Sequence, residues 1–434
     1  MCDAGDVKPT GADLRKPHLI LFFGGLLSLF SLQGASASTL QVLHSFSPAQ
    51  GHPWGDKLFR DSEGNLFGVA TGGAGLIYEL SKKSGSDWKF QILYKFSGND
   101  GSSPLGVIAD VNGNLYGTTA GFASSGSFVF ELSPNADRTQ WTEKVLYTFD
   151  AQASPQRGLS YFGSAEGQPY DGVSALYGTT AAAGAHDGGA VFSLIPSGGS
   201  WMYQDLYDFC STGHDKCTDG SGPLSLLVDE SGNIFGTTLS GGRKFNGVVF
   251  ELNNSTGTWT ETVLHRFCSL PGCADGSVSL SPLAMDMTGV LYGTTRTKGE
   301  KPCKRHWEKG CEGTVFRLVP DGQDSELTTL YTFCHRHLCK DGAFPLGSVI
   351  IDASGTVFGV AAAGGREQPP PVGGGIVYSM DTAMQRIYAF CAEQNCADGL
   401  GPEGGVISDA SGNFYGYTGA GGKFGSGTVY ELTH

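Results

Sequence analysis

Gly113-Asn114-Leu115-Tyr116-Gly117-Thr118-Thr119 is the stretch whose reading decides the fold. A strand end of the form aliphatic-aromatic-x-Phe, Leu93-Tyr94-Lys95-Phe96, precedes it. A third phrase, spelled out at Gly427-Thr428-Val429-Tyr430-Glu431-Leu432, follows the same heptapeptide wherever it recurs. The closing Phe falls at Phe46, Phe96, Phe149, Phe209, Phe267, Phe333 and Phe390, a period of roughly 50 to 66 residues. Short apolar-aromatic runs at that spacing mean a repeat architecture, with one structural unit per period.

One unit reads as four strands. In the second, residues 105–110 form a short apolar strand and 114–119 the next, joined by Asp110-Val111-Asn112-Gly113. The Asp can cap its own turn while the Gly takes a positive φ, the chemistry of a short hairpin loop. The same Asp-x-x-Gly turn recurs at Asp61, Asp229, Asp286, Asp352 and Asp409. Residues 127–132 and 142–149 supply strands three and four. Four antiparallel strands per period make a propeller blade, and the period predicts an all-β, seven-bladed β-propeller. The rungs of a parallel β-helix, the rival architecture, are shorter and joined without hairpins. The ends of the chain favour a ring. The last unit stops at Leu432 on a third strand, and residues 40–46 are a fourth strand with no unit of their own. Pairing them would close the last blade and leave no open edge at the join.

Residues 1–37 read as a signal peptide: Arg15 and Lys16, an apolar stretch over 19–32, then Ala35-Ser36-Ala37 as cleavage site. The apolar stretch is interrupted by Gly24-Gly25 and is short of a bilayer span. Residues 38–434 are then a single propeller domain, secreted or periplasmic, with no membrane segment after signal removal. Cysteine usage agrees with export. Cys210 with Cys217, Cys268 with Cys273, Cys334 with Cys339 and Cys391 with Cys396 repeat one register, and Cys303 with Cys311 makes a fifth couple. Each couple sits inside one loop, which predicts five local disulfides rather than a zinc site. A net charge of -14 argues against a nucleic-acid partner.

Tyr116-Gly-Thr-Thr119, Tyr177-Gly-Thr-Thr180 and Tyr292-Gly-Thr-Thr295, with Gly313-Thr-Val-Phe316 and Gly427-Thr-Val-Tyr430, resemble the GloVer tandem-repeat family of exported bacterial proteins. The resemblance runs from about residue 40 to the end and implies a propeller-like fold; it implies no activity and no catalytic residues. Units one and six depart from it, with Gly68-Val69-Ala70 and Gly359-Val360-Ala361, and unit three carries an irregular insertion over 154–174.

Strand order places the fourth-to-first and second-to-third connections on one face, the decorated face. Candidate ligand-binding residues gather there. The loop 296–312 carries Arg296, Lys304, Arg305, His306 and Trp307, cations and an aromatic on an acidic protein, suited to an anionic glycan or a partner's carboxylates. His52 and Trp54 stand beside the ring mouth. Asp100, Asp219, Asp275, Asp341 and Asp398, each followed by Gly, could ring a calcium ion. Each loop offers a single carboxylate, so turn-forming Asp with no cofactor is the reading adopted, and no metal site is assigned. The glycine of the second strand (Gly68, Gly117, Gly178, Gly236, Gly293, Gly359, Gly416) is read as close packing. The functional expectation is a binding module for a carbohydrate or surface protein. The alternative is a secreted polysaccharide lyase or hydrolase with its site at the central mouth, and no catalytic residue is assigned.

Overall fold

The computed structural model describes residues 38–83, 87–121, 126–150, 153–164, 169–212, 216–298, 312–366 and 373–433, all within one compact unit, 38–434. The signal-peptide reading of 1–37 therefore lies outside the described residues. Seven four-stranded antiparallel sheets follow one another around an axis. We number them blades I to VII, with I starting at the strand Pro53–Arg60. Within each blade the strands lie in chain order from the axis outward, except in VII. There the strand Thr39–Ser45 pairs with Thr428–Thr433, Thr39 facing Thr433 and Ser45 facing Thr428, and supplies the outermost position. The ring is closed as the sequence predicts.

The packing rule that builds the ring is visible in the three phrases. Each second-strand glycine faces an aromatic on the third strand: Gly68 faces Tyr78, Gly117 Phe130, Gly178 Phe192, Gly236 Phe250, Gly293 Phe316, Gly359 Tyr378 and Gly416 Tyr430. A Cβ at Gly178 would stand 2.4 Å from the Phe192 ring, and one at Gly416 2.4 Å from the Tyr430 hydroxyl. Glycine is thus required by the ring laid across it, not by backbone conformation. The closing Phe of each blade then meets the third-strand aromatic of the next blade edge-on. The pairs are Phe96–Phe130, Phe149–Phe192, Phe209–Phe250, Phe267–Phe316, Phe333–Tyr378 and Phe390–Tyr430, with centroids 4.9–5.4 Å apart. Phe46–Tyr78 at 5.2 Å is the seventh pair and spans the seam. Edge-to-face geometry of this kind adds roughly 0.5–1.5 kcal/mol beyond area burial, so the repeat is also the interblade adhesive.

The two loop systems follow their own chemistry. On the hairpin side, Asp61, Asp110, Asp229, Asp286, Asp352 and Asp409 each accept two backbone amides through Oδ1, two and four residues on. On the decorated side, four disulfides close within their own loops, Cys210–Cys217, Cys268–Cys273, Cys334–Cys339 and Cys391–Cys396. The fifth couple, Cys303 with Cys311, lies outside the described residues. Gly242, Gly365 and Gly422, from second-to-third loops, donate their amides to Cys217, Cys339 and Cys396 carbonyls. The two loop classes therefore do share one face. Among the described residues no helix is long and apolar enough to cross a membrane.

Candidate functional site

The innermost strands converge on a cavity of about 250 Å³, lined by Trp54, Asp56, Arg157, Arg296, Glu403 and Tyr417 among others. These side chains come from blades I, III, V and VII, so the cavity exists only because the ring is closed. Blade I contributes through Pro53–Arg60, whose pairing with Leu66–Ala70 is interrupted by a register shift between Trp54 and Phe59. Such a bulge re-aims side chains next to it. Trp54 is 41% exposed, an unusual state for the largest apolar side chain.

Polar contacts across the axis fix the charged groups. The Gly158 amide donates to Asp56 Oδ2 at 2.7 Å, and Arg157 Nη1 stands 3.8 Å from Asp56 Oδ1. Arg157 Nη2 donates to the Leu280 carbonyl at 3.1 Å, tying blade III to blade V. The Tyr417 hydroxyl donates to the Gly55 carbonyl at 2.7 Å, across the seam. Burial pushes the Asp56 carboxyl above its ordinary range, against the pull of Arg157 and the Gly158 amide. Burial does the same to Glu403, again opposed by Arg157. Two carboxyl groups inclined to hold a proton, one guanidinium between them and one aromatic plate at the rim make a site that can exchange hydrogen bonds with hydroxyls in both directions.

Of the residues singled out from sequence, Trp54 and Arg296 line this cavity. The Arg296 side chain is exposed, with its guanidinium 5.9 Å from the Phe344 ring centroid. His52 is exposed beside it, its Nδ1 3.2 Å from Thr71 Oγ1 and its ring 6.5 Å from that of Trp54. Lys304, Arg305, His306 and Trp307 lie outside the described residues. The Asp-Gly carboxylates are turned to another task. Asp219, Asp275, Asp341 and Asp398 are buried, each bonded to a Tyr or His of the preceding outer strand: Tyr207, His265, Tyr331 and Tyr388. Among the described residues no group of three or more His, Cys, Asp or Glu side chains could hold a metal ion.

Asp56, Arg157, Glu403 and Tyr417 escaped the sequence reading. A signal was present for one of them. Blades II, IV and VI begin their innermost segments with Pro104-Leu105, Pro223-Leu224 and Pro345-Leu346, whereas blades I and VII read Pro53-Trp54 and Pro402-Glu403. Substitutions in one column of a repeat, at the position nearest the axis, mark the departures. A wider groove of about 570 Å³ on the hairpin face is lined by Asp61 and Asp110. Those carboxylates are occupied in capping their own turns.

Residues 161–367 match the family model described as the Gloeobacter/Verrucomicrobia repeat. No curated protein matches the chain by sequence. Among solved structures, PorZ, an essential surface component of the type-IX secretion system of Porphyromonas gingivalis, is similar at 11% identity and a TM-score of 0.51, over 90% of this chain and 48% of PorZ. This chain thus spans about half the length of PorZ. The polysaccharide lyase Uly1 is similar at 10% identity and a TM-score of 0.51, over 94% of each chain. At such identities the likeness is one of fold.

Proposed function

For a chain whose residues 161–367 match the Gloeobacter/Verrucomicrobia repeat model, we propose a carbohydrate-binding propeller that takes a sugar residue end-on into its central mouth. The observation that carries this reading is the exposed Trp54 ring beside a cavity holding Asp56, Arg157, Glu403 and Tyr417. An indole face offers a flat apolar plate, and half-buried carboxyl groups and guanidinium supply the few placed polar contacts that orient a ligand. A volume of about 250 Å³ suits one sugar ring rather than a folded protein segment, which favours carbohydrate over a surface protein. Four local disulfides suit an oxidising compartment outside the cytoplasm. The test is a titration of purified protein against a panel of mono- and oligosaccharides. Trp54→Ala and Glu403→Gln should each weaken the best ligand by about tenfold or more, the size of one lost stacking or charged hydrogen-bond contact. Unchanged affinity in both variants would reject the mouth as the site.

A second reading, a polysaccharide lyase or hydrolase, is favoured by one observation. Asp56 and Glu403 share a cavity, and burial shifts both upward, the direction a general acid requires. Release of reducing or unsaturated ends from a polysaccharide, abolished by Glu403→Gln, would establish it. Binding without turnover would leave the first reading standing.

A further inference from the structure

Three of the four described disulfide loops share one backbone and differ sharply in what they present. Cys268-Ser-Leu-Pro-Gly-Cys273, Cys334-His-Arg-His-Leu-Cys339 and Cys391-Ala-Glu-Gln-Asn-Cys396 have the same spacing, and each ends in a one-turn 3-10 segment. Of these three, only the loop of blade V is basic. His335, Arg336, His337 and Leu338 are all exposed. Leu338 also departs from its counterparts. Gly272, Leu338 and Asn395 occupy the same position with φ of 63°, 57° and 58°. Glycine and asparagine tolerate that left-handed conformation, but leucine does not adopt it without strain, and here it is 51% exposed. Strain held on an exposed loop tip points to a role in contact.

This tip is continuous with the central mouth. Phe344 packs with Cys339 in a small buried cluster, and Arg296, which lines the mouth, lies over the outer face of the Phe344 ring. Cations at both ends of this short path stand out on a protein of net charge -14. Resting on the carbohydrate reading of the mouth, we propose that the ligand is a polyanionic glycan whose terminal sugar enters the mouth and whose following units cross blade V from Arg296 to the Arg336 tip. The charges along that path select acidic repeat units such as uronates, and the apolar Leu338 gives the sugar ring a contact at the far end.

The experiment compares a galacturonate disaccharide with a galacturonate dodecamer, a neutral cello-oligosaccharide of matched length and a single-stranded oligonucleotide of matched charge. Binding is measured by calorimetry on the intact chain at low and moderate salt. The dodecamer should bind about tenfold tighter than the disaccharide, with a gain that shrinks as salt is added. Arg336→Glu, a change at an exposed position, should remove the length gain and leave disaccharide affinity as it was. Trp54→Ala should weaken both acidic ligands equally. If the disaccharide is indifferent to Trp54→Ala while Arg336→Glu still removes the length gain, the mouth reading falls and the cationic path stands. An equal length gain for the neutral oligomer, a dodecamer indifferent to Arg336→Glu, or tighter binding of the oligonucleotide would each overturn the proposal.

Discussion

Replacing Tyr78, Tyr378 and Tyr430 by Phe should stabilise the propeller. These three tyrosines hold the third-strand position that Phe130, Phe192, Phe250 and Phe316 hold in the other blades, each laid across the second-strand glycine. All seven rings are fully buried. The three phenol oxygens have no hydrogen-bond partner among the described residues, so each folded molecule keeps three buried hydroxyl groups without compensation. Burial also holds the three phenols far above the usual tyrosine range, so they are neutral at any working pH. An unsatisfied buried hydroxyl costs about 1–3 kcal/mol, and the remaining ring keeps its edge-on contacts with Phe46, Phe333 and Phe390. Each Tyr→Phe change should therefore raise stability by about 1 kcal/mol or more. The triple variant should gain on the order of 3 kcal/mol, because no partner ring is shared. Urea unfolding followed by tryptophan fluorescence reads this as an upward shift of the midpoint at unchanged slope. The reverse change, Phe250→Tyr, should lower the midpoint by a similar amount. A fall in midpoint for the single Tyr→Phe variants would show that the hydroxyls have partners in solution and that the reasoning fails.

The seam supplies another prediction. Phe46→Ala should destabilise by about 3–5 kcal/mol, as Phe209→Ala should, because both side chains are fully buried against the next blade; a loss below about 1 kcal/mol at Phe46 alone would mean that the ring does not depend on its closing strand. A pH prediction comes from Glu261. Burial, with Asp219 adding to it and Arg266 opposing, pushes its carboxyl up to about 8. The folded state therefore holds a proton that the unfolded chain has released, and stability falls as pH rises from the ordinary glutamate range toward 8. Glu261→Gln should match the wild type near pH 4 and exceed it by on the order of 3 kcal/mol at pH 9. Parallel pH–stability curves for the two proteins would refute the assignment.

The architecture was legible because everything that builds it is local or periodic. An aspartate capping its own turn and a cysteine couple inside one loop each announce themselves within a few residues, and a glycine after an aromatic recurs once per period. The ring closure was legible from the unpaired strand at one end and the missing strand at the other. The mouth was not, because its contacts obey no period. The Asp56–Gly158 bond joins residues 102 apart and the Arg157–Leu280 bond residues 123 apart. Arg157 reaches the axis from the segment of blade III whose irregularity was noticed but whose cargo was not. The Asp-Gly carboxylates do accept backbone amides of their own loops, at Ser211, Ser269, His335 and Ala392. The burial of Asp219, Asp275, Asp341 and Asp398 beneath an outer-strand Tyr or His required the fold to be seen.

A repeated ring has a built-in tension between adhesion and recognition. Interblade adhesion asks every blade to be alike, and the seven glycine-aromatic pairs comply, with only Tyr for Phe as variation. Recognition of an asymmetric ligand asks the axis to be unlike around its circumference. Two sets of departures lie outside the glycine-aromatic pairs. One is the innermost column, where Trp54 and Glu403 replace Leu. The other is the outward tips of the disulfide loops, where Arg336 stands at the position of Leu270 and Glu393, and Leu338 at that of Gly272 and Asn395. Ligand specificity can then diverge among such repeats without touching the phrases by which they are recognised, and a family model built on those phrases reports the scaffold and says little about what it holds.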